Sequence, residues 1–186
     1  GFSVKDQGGA LSKNILQNDY AKTIVPQFGA RGLTWMRVVD GKLQSNIVQF
    51  FSPGEQERLM ECFEAQDGDV LMMIADESAD LVKNVLGRLR IHVAERLNLI
   101  PKDHWRPLWV TDFPLFELKD DQIGSQHHPF TMPDRVDFDP NDVDALQALN
   151  SRAYDLVMNG EELGGGSIRI HRMDVQKKIF QALGLS

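Results

Sequence analysis

Two dipeptides constrain this chain more than any other feature. Asp40-Gly41 closes the run Leu33-Thr34-Trp35-Met36-Arg37-Val38-Val39, and Asn159-Gly160 closes Ala153-Tyr154-Asp155-Leu156-Val157-Met158. A two-residue hairpin turn needs positive φ at both central positions, which Asn, Asp and Gly tolerate best, so each pair predicts two antiparallel strands side by side. Residues 47–51 are the expected return strand of the first hairpin and residues 163–171 of the second.

Helical segments alternate with these strands. Leu11, Ile15, Leu16, Ile24 and Val25 predict an amphipathic helix over 11–28, capped by Ser12, stopped by Gly29 and ended or kinked near Pro26. Ser52-Pro53-Gly54-Glu55 is a helix start: Ser caps, Pro occupies the first turn, and Glu reaches back to the cap. That helix carries Leu59, Met60, Cys62 and Phe63, and Cys62 is expected in the packed core. Asp67-Gly68-Asp69 turns the chain into a strand over 70–75, where Met72-Met73 read as core. Leu81, Val82, Val85, Leu86, Leu89, Val93 and Leu97 then fall at three-and-four spacing along a helix over 78–99. The expected fold class is α+β. Residues 1–103 should form an antiparallel sheet with helices on one face, and the aperiodic, proline-bearing stretch 101–107 should be the boundary.

Beyond it, residues 108–113 and 115–118 read as strands broken by Pro114, and a polar loop carries His127-His128-Pro129-Phe130. A short helix over 142–149, capped by Asn141 or Asp139, precedes the second hairpin, and a helix over 174–183 closes the chain.

Composition narrows the function. A net charge of −7 makes the 186-residue chain a poor autonomous nucleic-acid clamp, although a local basic face is compatible with it. A single cysteine excludes an internal disulfide framework and a cysteine-built zinc site. No apolar run spans a bilayer and no leader is visible, so no membrane association and a cytoplasmic location are expected.

Candidate chemistry gathers in the second part. Gly164-Gly165-Gly166 strip side chains from a strand, which suits close approach of a flat ligand and equally a flexible turn. Glu162 and Arg169 flank them, offering a carboxylate for a cation and a fork for a carboxylate or phosphate. Asp155 shares a strand face with Ala153 and Val157 and could meet Glu162 across the hairpin, as a pair for Mg²⁺ or as a solvated edge. His127 and His128 point apart in an extended chain, which disfavours a shared metal ion.

Four segments in order carry a resemblance. Leu108-Trp109-Val110-Thr111-Asp112-Phe113-Pro114, His127-His128-Pro129-Phe130-Thr131, Ala153 to Gly160, and Glu162 to His171 together resemble bacterial-type aspartyl-tRNA synthetase, a class II enzyme. Residues 1–103, with Gly29-Ala30-Arg31-Gly32-Leu33 and the Asp67-Gly68-Asp69 turn, are similar to that family's GAD insertion domain, which also occurs in a tRNA-dependent amidotransferase subunit. Residues 104–186 would then be part of the catalytic domain, without its motifs 2 and 3, so that the chain is expected to be an inactive fragment.

The resemblance implies activation of L-aspartate with ATP and Mg²⁺, transfer to tRNA, and a homodimeric parent. Glu162 would serve ATP and Mg²⁺ with Asp155 as its metal partner, and Arg169 would grip the aspartate side chain. His127, and less directly His128, would belong to a loop closing on the amino acid. Two other readings stand beside it: a non-catalytic tRNA- or protein-interaction module built on the GAD-like unit, and a small metallohydrolase using His127, Asp155 and Glu162.

Overall fold

The computed structural model describes residues 1–119 and 122–185. The chain divides into two compact units, Gly1–Lys102 and Asp103–Ser186. Both are α+β with antiparallel strand pairing throughout.

Unit 1 is built on β1 (Phe2–Val4), β2 (Thr34–Val39), β3 (Lys42–Gln44) and β4 (Val70–Met73), in the spatial order β1-β4-β2-β3. Asp40 and Gly41 adopt φ of 52° and 68°, and this turn pairs Val39 directly with Lys42. The return strand therefore begins at residue 42, and Val48–Phe50 within the expected return forms a 3₁₀ turn instead. A two-residue turn leaves no slack for pairing five residues later. β1 carries no sequence signal beyond Phe2 and Val4, and only pairing with β4 makes it a strand.

The sheet is covered on both faces, which corrects the one-face expectation. One face packs Trp35, Val70 and Met72 against a helical layer. That layer is a π-helix (Ile15–Ile24) running on into the single turn α1 (Val25–Gln27), together with α3 (Ala79–Arg96). Buried Leu11, Leu16, Tyr20 and Val25 are spaced five, four and five apart, which suits i→i+5 hydrogen bonding, as in Val25 N–H to Tyr20 O. The opposite face packs Met36, Val38 and Leu71 against Leu59, Met60 and Phe63, borne by α2 (Pro53–Cys62) and the residue after it. Met72 and Met73 thus serve opposite faces, as strand alternation requires. The Ser52–Glu55 capping box forms as expected, whereas Cys62 is exposed, because Leu59, Met60 and Phe63 take the sheet-facing side of α2.

In unit 2, β5 (Pro107–Thr111), β8 (Ala153–Met158) and β9 (Glu161–Ser167) form a sheet in the order β5-β8-β9. A separate two-stranded antiparallel sheet pairs β6 (Phe116–Lys119) with β7 (Gln122–Ser125). β7 lies where the sequence suggested only loop, since its lone apolar residue, Ile123, gives no alternation to read. Phe116, Phe138, Leu146, Leu149 and Ile179 make the core under α4 (Val143–Gln147) and α5 (Met173–Ala182). Asp142, rather than Asn141 or Asp139, caps α4: its carboxylate accepts from Ala145 N–H, while Asp139 closes the preceding turn onto Asn141 N–H.

Candidate functional site

The site is laid out by one irregularity in β9. Glu162 pairs with Val157 and Gly164 with Leu156, so Leu163 is an extra residue opposite the Leu156–Val157 step. Without that bulge, Glu162 and Gly165, three apart, would face opposite sides of the sheet. With it, Glu162, Gly165 and Ser167 join Ala153 and Asp155 on one face, and all five line a cavity of about 190 Å³. Asp155 pairs with Gly165, not with Glu162, so the two carboxylates sit one residue pair apart on that face.

Two of the three glycines have separate steric reasons. A Cβ on Gly165 would overlap Asp155 Oδ1 and stand 3.1 Å from Tyr154 O, so its absence gives the Asp155 carboxylate its place over the strand. On the other face, a Cβ on Gly166 would meet the Tyr154 hydroxyl oxygen at 2.8 Å. Nothing lies within 4 Å of the Cβ position of Gly164.

Arg169 lies just past β9, held by an isolated bridge to Thr131, which is 1% exposed. That bridge, with Ile170 N–H donating to Phe130 O and Met132 N–H to Ile168 O, ties the histidine-bearing loop to the site. Arg169 Nη1 lies 3.0 Å from His128 Nδ1. A guanidinium only donates, so Nδ1 is the acceptor and carries no proton. Phe130 N–H points at the same nitrogen, at 3.3 Å. Burial first, and then the positive charge of Arg169, hold the His128 pKa below its ordinary value. His127 packs edge-on against Phe113, with ring centroids 5.1 Å apart and planes at 90°. Both histidines line the cavity, but His128 alone is bonded to Arg169.

Arg169 makes no ion pair among the described residues, so its guanidinium faces the cavity without an internal carboxylate. Two carboxylates at one end and an open guanidinium at the other can hold a cation and an anion at once. Ser167 Oγ is buried at this face with no hydrogen-bond partner; its place two residues after Gly165 could have revealed it in the sequence. Among the described residues no three His, Cys, Asp or Glu side chains are grouped to hold a metal ion, which leaves the metallohydrolase reading without its cluster. No helix among them is long and apolar enough to cross a membrane.

The β8–β9 hairpin presents two carboxylates to the same cavity as the guanidinium of Arg169. Residues 14–186 match the family described as tRNA synthetases class II (D, K and N), and the chain belongs to that family. It is 58% identical over its whole length to an aspartate–tRNA(Asp/Asn) ligase 1 of Syntrophus aciditrophicus, covering 26% of that protein. It is 47% identical to an aspartate–tRNA(Asp/Asn) ligase of Persephonella marina, over 86% of this chain and 28% of the relative. The corresponding ligase of Caldanaerobacter subterraneus is 40% identical, over 100% of this chain and 31% of the relative. The chain thus spans between a quarter and a third of the length of these relatives.

Proposed function

We propose that this chain is the GAD-like insertion domain and part of the catalytic domain of an aspartate–tRNA ligase. In this reading it holds the amino acid and the ATP phosphates while L-aspartate reacts with ATP to give aspartyl-adenylate and pyrophosphate. The observation that carries the proposal is the guanidinium of Arg169, bonded to a neutral His128 and to no carboxylate, on the face that also bears Asp155 and Glu162.

Arg169 binds the aspartate side-chain carboxylate through its free donors, and a bidentate fork prefers a carboxylate to the amide of asparagine. His128 accepts from Nη1 and fixes the guanidinium plane. His127, on the same loop, closes on the amino-acid end of the cavity. Glu162 and Asp155 supply oxygen donors of the kind Mg²⁺ takes, one or two carboxylates with substrate phosphates completing the shell. Mg²⁺ held there would neutralise charge on the ATP phosphates, while the α-carboxylate of aspartate attacks the α-phosphorus and pyrophosphate leaves.

The relatives' names point to tRNA-Asp and tRNA-Asn as the aspartyl acceptors. The parent is proposed to be a homodimer, and the chain alone to be inactive. Pyrophosphate exchange with aspartate and ATP tests both points. The full-length ligase should exchange and should lose the reaction in Arg169→Ala, while exchange by this chain alone would overturn its proposed inactivity. Full exchange by the full-length Arg169→Ala enzyme would overturn the site.

A further inference from the structure

Unit 1 contains a second cavity, of about 340 Å³, at the β3 edge of its sheet. Its polar lining is Lys13, Arg37, Gln44, Ser45 and Asn46, with Trp35 as floor. Two features bear on what it can bind. The first is charge: two cations and no carboxylate line it, in a chain of net charge −7. Neither Lys13 nor Arg37 forms an ion pair among the described residues.

The second feature is an orphaned donor. Arg37 Nη2 is anchored on Gly8 O at 2.9 Å, and Arg37 Nε is buried with no acceptor. A buried guanidinium N–H without a partner is costly, and such a group in a native structure asks for a missing acceptor. Gln44 stands opposite Arg37 in the ladder and shares its face. Ser45 Oγ donates to Asn46 Oδ1 at 3.2 Å, leaving the Asn46 amide nitrogen without an acceptor among the described residues. The lining thus brings the Arg37 guanidinium, the Lys13 ammonium and the Gln44 and Asn46 amides to one cavity.

We propose that this cavity binds a phosphate group, with Arg37 and Lys13 supplying the charge and the Gln44 and Asn46 side-chain amides supplying neutral donors. Phosphate is favoured because a tetrahedral oxyanion can engage a guanidinium fork and further donors together. The same chemistry is offered by free phosphate and by a polynucleotide backbone. The site shares no residue with the Asp155–Arg169 cavity, so it stands or falls independently of the aspartate reading.

The test is an amide NMR titration of this 186-residue chain with inorganic phosphate, and separately with a short RNA duplex, at constant ionic strength. Saturable shifts confined to residues 13, 35–37 and 44–46 are expected with at least one of the two. Saturation by inorganic phosphate assigns the site to the free ion, and saturation by the duplex alone assigns it to backbone phosphate. Lys13→Gln, at an exposed position that leaves the fold intact, should weaken the binding about tenfold, the ordinary worth of one charge-assisted contact. Shifts that do not saturate with either probe, that equimolar chloride reproduces, or that are unchanged in Lys13→Gln overturn the proposal.

Discussion

Gly165 faces Asp155 across the β8–β9 ladder, and the missing Cβ is what lets the Asp155 carboxylate lie over the sheet. Gly165→Ala should push that carboxylate off the site face and cost about 1 kcal/mol in stability. It should also lower pyrophosphate exchange of the full-length ligase about 10- to 100-fold. Gly164→Ala meets nothing and should raise stability by about 0.5 kcal/mol, because alanine loses less backbone freedom in a strand. Urea midpoints of the two variants check the opposite signs.

Arg169→Lys keeps the charge and loses the fork. For the full-length enzyme, aspartate kcat/KM should fall about 10- to 100-fold, with most of the change in KM. An unchanged aspartate KM would remove Arg169 from the amino-acid site.

His128 titrates below the ordinary histidine value, because burial and then Arg169 disfavour its protonated form. The folded state therefore binds fewer protons than the unfolded state between the lowered pKa and about 6.5. Stability should fall as pH drops through that window and stay flat above it. Proton NMR of the His128 ring should show the lowered value, and Arg169→Gln should raise it part of the way back.

Asp69 is a buried carboxylate that accepts from Asp6 N–H, Gln66 N–H, Ser3 Oγ and Lys5 Nζ. Burial alone would raise its pKa, but the Gln66 and Asp6 N–H bonds, with the Lys5 bond and charge, hold it below the ordinary aspartate value. The stability it contributes is thus present above about pH 4 and is lost as pH falls through the lowered value. Asp69→Ala should cost about 2–4 kcal/mol at pH 7 by leaving backbone donors unpaired. The gap to wild type should shrink below pH 4, as acid denaturation curves of the two would show.

Cys62 is exposed at the end of α2. It should react with a water-soluble disulfide reagent in the native chain at a rate close to that in urea. Protection by several orders of magnitude would place it back in the core.

Much of the architecture was legible along the chain. The turn pairs Asp40-Gly41 and Asn159-Gly160, the Ser52 capping box and the Ser78-capped helix Ala79–Arg96 all follow from side chains within a few residues of each other. So did the gathering of Asp155, Glu162, Arg169, His127 and His128 in one half, since motif order survives in sequence. Elements without a local signal did not. β1 and β7 are strands only because partners exist for them, and the π-helix follows a burial spacing that resembles an α-helix over short stretches.

By itself, the sequence determined the antiparallel α+β class, the turns, the capped helices and which residues carry charge at the site. Only the tertiary structure decided that helices cover both faces of the first sheet, that a bulge at Leu163 turns Glu162 onto the face of Asp155, and that His128 rather than His127 meets Arg169. Turns and caps are set by contacts within three or four residues, which sequence displays directly. Register, face and pairing are set by contacts between residues tens of positions apart, and they exist only once the chain has closed on itself.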